Sequence, residues 1–177
     1  MPTPAIQKKV CLLGDFAVGK TSLVRRFVEG IFEDKYLSTI GTKVSRRVIT
    51  LERAGRPVAL TMLIWDLAGG EKFDRVMESY YRGAAGAILV CDLTRPETLE
   101  ALPGYAGDFW KVNPRVPLIL LGNKVDLADQ RAVSDRDLAT VAGQCQAPWF
   151  TSSAKTGENV EMAFLLLGER MLEAGGI

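Results

Sequence analysis

Three short runs of the chain are apolar at nearly every position: Val10–Leu13, Ala84–Cys91 and Val116–Leu121. Runs of this length without polar alternation fit parallel strands buried on both faces. Segments with a helical period of apolar residues lie near 20–29, 97–110, 134–146 and 159–173, and a further short strand is expected at Pro148–Phe150. Thr42–Leu51 and Val58–Trp65 are β-rich and joined by Glu52–Pro57, a turn containing Gly55, which predicts an antiparallel hairpin. Strands alternating with helices predict an α/β fold with helices on both faces of the sheet. In the 97–110 helix, Leu99, Leu102, Tyr105 and Phe109 form the apolar stripe, but Pro103 and Gly104 interrupt it, so a kink or a 3₁₀ first turn is expected. Residues 30–42 have no period and form a loop long enough to carry a function. The start of the chain, with Pro2 and Pro4, reads as a loose arm over residues 1–8, followed by one domain over 9–174 and a short tail at 175–177.

Composition narrows the chemistry. With 177 residues, 47% of them hydrophobic, the chain can bury one sizeable core. A net charge of +1 gives no global field that favours nucleic acid. There is no histidine, which removes His bases, His-containing triads and His metal sites together. Phosphoryl transfer survives that exclusion, because positioning and electrostatics do most of its work. Cys11, Cys91 and Cys145 show neither a disulfide framework nor zinc spacing, and no apolar run is long enough to span a bilayer, so a cytoplasmic protein is expected.

The chemistry concentrates in Gly14–Thr21, which reads G-x-x-x-x-G-K-T between an apolar run and an amphipathic segment. That is the phosphate-binding P-loop pattern in its required strand–loop–helix setting. Gly14 and Gly19 allow the backbone of Asp15, Phe16, Ala17, Val18 and Gly19 to curl so that successive N–H groups face one anion. The helix that begins with Lys20, Thr21 and Ser22 adds its positive dipole end. Lys20 can reach the outer phosphates, and the Thr21 hydroxyl can ligate the accompanying Mg²⁺. In the 30–42 loop, Thr39 could supply a second hydroxyl to the metal, and Phe32 or Tyr36 could lie over the nucleotide; the other reading is a surface loop with its aromatics packed down.

The second hairpin strand runs into Asp66-Leu67-Ala68-Gly69-Gly70. A carboxylate closing an apolar strand of such a sheet faces the ligand crevice, so Asp66 can hold Mg²⁺ through a water and the Gly69 N–H can approach a terminal phosphate. Leu121 leads into Gly122-Asn123-Lys124-Val125-Asp126. An Asn123 amide can meet a purine's Hoogsteen edge, Lys124 can lay its stem along the ring, and the Asp126 carboxylate can accept from both N1–H and the exocyclic amine of guanine. Adenine offers no such donor pair, which disfavours an ATP-using enzyme. Ser153-Ala154-Lys155 follows the last strand, where the Ala154 N–H could bind guanine O6.

These motifs, in this order, resemble those of the Ras superfamily of small GTPases, most closely its Rab branch, over Lys9 to about Met171. GDFAVGKT is similar to the phosphate motif, YLSTIG to switch I, WDLAGGEKF to the family's WDTAGQERF, SYYRGAAGAILVCD to the Rab-like run after switch II, and NKVD and SSAK to the guanine motifs. The resemblance implies a six-stranded, mostly parallel sheet with one antiparallel edge strand. It implies GTP/GDP and Mg²⁺ as ligands, with Phe32 stacked on the base and Thr39 closing over the γ-phosphate. It also implies partners (effector, exchange factor, activating protein) that dock on the switches and hairpin of a monomer.

The departures from the family pattern bear on turnover. Phe16 stands where the family has Gly or Ser, Gly70 where it has the glutamine that orients the attacking water, and Leu67 where it has Thr. Val44 replaces the Phe of the Rab hydrophobic triad, whose other members match Trp65 and Tyr80. The last residues hold no cysteine for a prenyl anchor, so membrane recruitment would run through partners or a missing tail; that ending and the Ala-, Arg- and Gly-rich composition suit a prokaryotic Rab-like protein. The expected function is a guanine-nucleotide switch with slow GTP hydrolysis, its catalytic set being Lys20, Thr39, Gly69 and Gly70. The alternative is a GTP-dependent binding module with little turnover, and a rebuilt site using Glu71 or Arg75 is a further route.

Overall fold

A computed structural model describes residues 5–33, 41–70 and 73–177. Among them are strands β1 (Ala5–Leu13), β2 (Thr42–Arg53), β3 (Arg56–Leu67), β4 (Ala84–Asp92), β5 (Leu118–Asn123) and β6 (Trp149–Ser152). The helices are α1 (Lys20–Glu29), α2 (Arg75–Tyr81), α3 (Pro96–Glu100), α4 (Leu102–Val112), α5 (Asp135–Gln144) and α6 (Val160–Ala174). The strands form one sheet in the order β2-β3-β1-β4-β5-β6. All neighbours are parallel except β2, which pairs antiparallel with β3 at the edge, as expected from the sequence.

Strand alternation divides the interior in two. Val10 and Leu12 of β1 point to one side and join Leu23, Val24 and Phe27 of α1 with Phe164, Leu167 and Met171 of α6. Cys11 and Leu13 point to the other, among Tyr81, Leu102, Phe109 and Leu138 from α2, α4 and α5. Phe27 and Phe164 stack with centroids 4.0 Å apart, tying the two helices of the first face together. All three cysteines are buried, as small core residues.

Three local expectations change. The proposed arm is not loose from Ala5 onward: Ala5–Lys9 belong to β1 and pair in register with Ala59–Leu63 of β3. Their side chains alternate between exposed and half-buried, so they lack the continuous apolar run that marks the second half of the strand. The 97–110 helix is two helices that meet at Ala101, which places Pro103 in the first turn of α4, where its missing N–H costs little. The expected kink is therefore a break one turn earlier. Finally, the short α2 had no counterpart among the helical segments read from the sequence; its N-cap Asp74 accepts from the Met77 N–H at 3.0 Å.

β1, β3, β4, β5 and β6 all end on the same side of the sheet. The loops after them carry Gly14–Gly19, Ala68–Gly70, Leu93–Arg95, Lys124–Asp126 and Ser153–Lys155. Because the chain leaves β1 toward β3 on one side and β4 lies on the other, the crevice opens above β1, where open α/β sheets bind ligands.

Candidate nucleotide site

A cavity of about 320 Å³ lies at that end of the sheet. Phe16, Ala17, Gly19, Lys20, Thr21 and Ser22 of the first loop and helix line it, as do Asn123, Lys124, Asp126, Ala154 and Lys155 from the loops after β5 and β6. Phe32, Leu67 and Gly69 also reach it. The sequence-predicted residues from distant parts of the chain are thus brought to one space. Asp15, Val18, Asp66 and Ser153 stand directly behind this lining through the bonds described below. Tyr36, Thr39, Ile40 and Glu71 lie outside the described residues.

The loop after β1 is shaped for close approach. A Cβ at Gly19 would come within 2.3 Å of the Asn123 amide nitrogen, so only glycine lets the guanine-motif side chain pack on the P-loop. Gly19 also caps α1 without a side-chain hydrogen bond, and the first turn of α1 holds no acid. The amide end of this helix is therefore open to an anion. The Lys20 ammonium, 6% exposed, donates to the carbonyls of Gly14 at 2.8 Å and Asp15 at 2.9 Å. Burial pulls its pKa down to about 8, against the raising effect of Asp66 and Asp15. The Thr21 hydroxyl donates to Asp66 Oδ2 at 2.5 Å, with Asp66 1% exposed at the end of β3.

The base-side motif is knitted to the same loop. Asn123 is buried; its amide donates to the Val18 carbonyl at 3.0 Å and its oxygen accepts from Ser152 Oγ at 3.1 Å. One amide hydrogen is therefore spent on the P-loop and the second is left for another acceptor. The Lys124 ammonium spans the space to reach the Ala17 carbonyl and Asp92 Oδ2, both at 2.9 Å. Asp126 Oδ1 accepts from Ser153 Oγ at 2.8 Å, and Asp126 lines the cavity.

Four residues of this arrangement were not read from the sequence. Asp92 ends β4 as Asp66 ends β3, so the same rule would have found it. Burial opposes its charge, but hydrogen bonds from Lys124 and Thr94 hold its carboxyl below the usual range. Arg95 bonds Asp92 through Nε at 3.2 Å and donates from Nη2 to the Phe16 carbonyl at 2.6 Å. Arg26 of α1 donates from Nε to the Ala154 carbonyl at 2.8 Å and from Nη2 to the Lys155 carbonyl. Tyr105 was read as part of the apolar stripe of its helix, yet its hydroxyl donates to Asp15 Oδ1 at 2.9 Å and accepts from the Gly70 N–H at 3.1 Å. Bonds to backbone groups and to single carboxylates carry no sequence period, so Arg26, Arg95 and Tyr105 left no signal.

Comparison with known proteins bears on the same span. The Ras family model matches residues 9–173. The chain belongs to the Ras family. It is 37% identical over 169 residues to the Ras-related protein RabJ of Dictyostelium discoideum, covering 95% of this chain and 64% of that protein. It is 37% identical over 171 residues to Rab7 of Drosophila melanogaster, covering 93% of this chain and 80% of the relative. Rab-37 of Homo sapiens is 33% identical over 177 residues, or 99% and 78% of the two chains. This chain thus spans just under two thirds of the RabJ length and more of the other two. The domain is a Rab-like small GTPase domain of the P-loop fold, and the ligands that go with this family are GTP/GDP and Mg²⁺. Among the described residues no helix is long and apolar enough to cross a membrane.

Proposed function

We propose that this chain is a guanine-nucleotide switch whose GTP is hydrolysed slowly. The observation that carries the reading is the cavity itself, which phosphate-type residues (Lys20, Thr21) and guanine-type residues (Asn123, Asp126, Ala154) line together. In this reading the amides of Asp15–Gly19 and the α1 N-terminus hold the phosphates, with Lys20 on the outer ones. Thr21 and Asp66, an adjacent hydroxyl and carboxylate, fit a hard cation that keeps waters and phosphate oxygens as its other ligands. Thr39 is the second proposed metal ligand. Bound there, Mg²⁺ would neutralise charge on the β- and γ-phosphate oxygens. Asp126 and the remaining Asn123 hydrogen read the purine, with the Ala154 N–H on O6, Ser153 steadying Asp126, Lys155 at the rim, and Phe32 over the base. Tyr36 joins the nucleotide side from the 30–42 loop.

Slow turnover follows from two positions, Gly70 and Phe16. Hydrolysis needs a water held in line with the γ-phosphate and donors for the developing charge. Gly70 has no side chain to hold that water, leaving the Gly69 N–H and the Thr39 carbonyl. Phe16 is 53% exposed at the edge of the cavity, where an activating protein would insert an arginine. Such a finger is worth roughly 10³–10⁵ in rate, so a ring in its path is costly. A binding module with hardly any turnover is the second reading, favoured by the same two residues. Effectors and regulators would meet the apolar face made by Val44, which is 50% exposed and registers against Trp65, together with Tyr80. Ile40 would extend it.

The test has two parts. Calorimetric competition should give GTP at least about a hundredfold preference over ATP, a gap of ~2.7 kcal/mol; a gap under tenfold defeats the guanine pocket. Single-turnover hydrolysis should then accelerate in Phe16→Gly/Gly70→Gln. Gly70 has φ +77°, where an L side chain is strained by ~1–2 kcal/mol, so Gly70→Gln alone should gain less. Fast wild-type hydrolysis lost in Arg75→Ala or Glu71→Ala would replace this account with a rebuilt site.

A further inference from the structure

We propose that Tyr105 is a positioning residue that latches the start of switch II to the P-loop. Its hydroxyl joins the two loops directly, through Asp15 Oδ1 at 2.9 Å and the Gly70 N–H at 3.1 Å. A phenol can make both bonds at once because it donates one hydrogen and accepts another. Burial holds Tyr105 at a pKa of about 12, so the donated proton stays in place at neutral pH. The post on which it stands is rigid: Leu102, Ala106 and Phe109 of α4 are buried in the sheet's second core.

The segment it grips needs a grip. A Cβ at Gly70 would meet nothing within 4 Å, so on its Cβ side the residue faces open space. Gly69, one residue earlier, is pressed on the P-loop so closely that a Cβ would lie 2.4 Å from the Asp15 carbonyl carbon and 2.6 Å from the Gly14 oxygen. The chain must therefore pass from a tight contact to an open, side-chain-free residue within one peptide unit. The Tyr105 bond falls at that junction. It fixes the backbone that presents the Gly69 N–H to the cavity; this consequence for turnover rests on the guanine-switch reading, whereas the latch itself does not.

The test is amide exchange at Gly70 by NMR in wild type, Tyr105→Phe, Asp15→Ala and Asp15→Asn, first without nucleotide and then with GDP. Tyr105→Phe keeps the ring and loses both bonds, and should speed Gly70 exchange about tenfold. Asp15→Ala should speed it in part, and Asp15→Asn, which retains an acceptor oxygen, should restore protection. In the same Tyr105→Phe protein single-turnover GTP hydrolysis should fall about tenfold while GDP affinity stays within about threefold. Unchanged Gly70 exchange in a folded Tyr105→Phe protein overturns the latch. Faster exchange with unchanged hydrolysis overturns its positioning role. Failure of wild type to bind GDP would instead count against the guanine-switch reading, with the exchange comparison still standing.

Discussion

Replacing Asp126 by Asn changes one oxygen into an amine and tests how the base is recognised. In the structure Asp126 Oδ1 accepts from Ser153 Oγ at 2.8 Å, and the Ser153 oxygen in turn accepts from the Thr156 N–H at 3.0 Å. The Ser153 hydroxyl can rotate to suit an amide oxygen, so Asp126→Asn should keep the loop in place. What changes is the carboxylate oxygen that does not bond Ser153. In the proposed pose the carboxylate accepts two donors from guanine, and hydrogen bonds to a charged group are worth ~1.5–3 kcal/mol each. The variant loses one of them, faces donor against donor, and weakens the other by removing the charge. A loss of about 3–4 kcal/mol, or roughly 10²–10³-fold in GTP affinity, is expected. Xanthine carries an oxygen in place of the exocyclic amine, so xanthosine triphosphate should gain where GTP loses. Displacement of a fluorescent GDP by unlabelled GTP and xanthosine triphosphate measures both. A change under about fivefold, or ~1 kcal/mol, would refute the assignment of Asp126 to the base.

The other predictions concern the supports of the site. Arg26→Ala removes the bonds to the Ala154 and Lys155 carbonyls, so GTP affinity should fall about tenfold in the same displacement assay; undiminished affinity would mean the loop holds its shape unaided. Asp92 has its folded pKa depressed below the ordinary aspartate value, so its contribution to stability is complete above that ordinary value and lost as pH falls through the lower folded one. Acid titration of the unfolding free energy should therefore be shallower in Asp92→Asn, with a lower plateau near neutrality; an unchanged acid slope would remove Asp92 from the network. Trp65→Ala should abolish capture of a GTP-dependent partner from a folded protein, since Trp65 faces Val44 and lies 6.3 Å from Tyr80; a full yield of partner would place the surface elsewhere.

Much of the fold was legible because the sheet is buried on both faces. Val10–Leu13, the body of β4 and the body of β5 have no polar residue to hide, and the longer helices around them carry an apolar stripe. What escaped was what lacks a continuous pattern. Lys8 and Lys9 lie in β1, yet they break its apolar run, and Lys9 lays its ammonium over the Trp65 ring at 3.8 Å instead of entering the core. α2 has seven residues and buries only Met77 and Tyr81, too few to show a period. The site divides the same way. The P-loop, Asp66 and the Asn123–Asp126 motif were visible because phosphate and guanine demand fixed residue types at fixed spacings. Arg26, Arg95 and Tyr105 serve by bonding carbonyls, a carboxylate and an amide far along the chain, and any donor of the right reach could do that. Asp92 is the exception, since a carboxylate closing an apolar strand was itself the signal used for Asp66.

Slow conversion of a tightly held GTP is the behaviour that distinguishes this reading of the chain. Wild-type protein loaded with one equivalent of GTP and Mg²⁺ should be followed through a single turnover by separating the bound GTP and GDP. Retention of GTP with conversion at or below the order of 10⁻⁴ s⁻¹, the intrinsic scale known for a member of this superfamily that keeps its glutamine, is the predicted result. Conversion at 10⁻² s⁻¹ or faster, roughly the rate reached when an arginine is supplied within the chain, would contradict it.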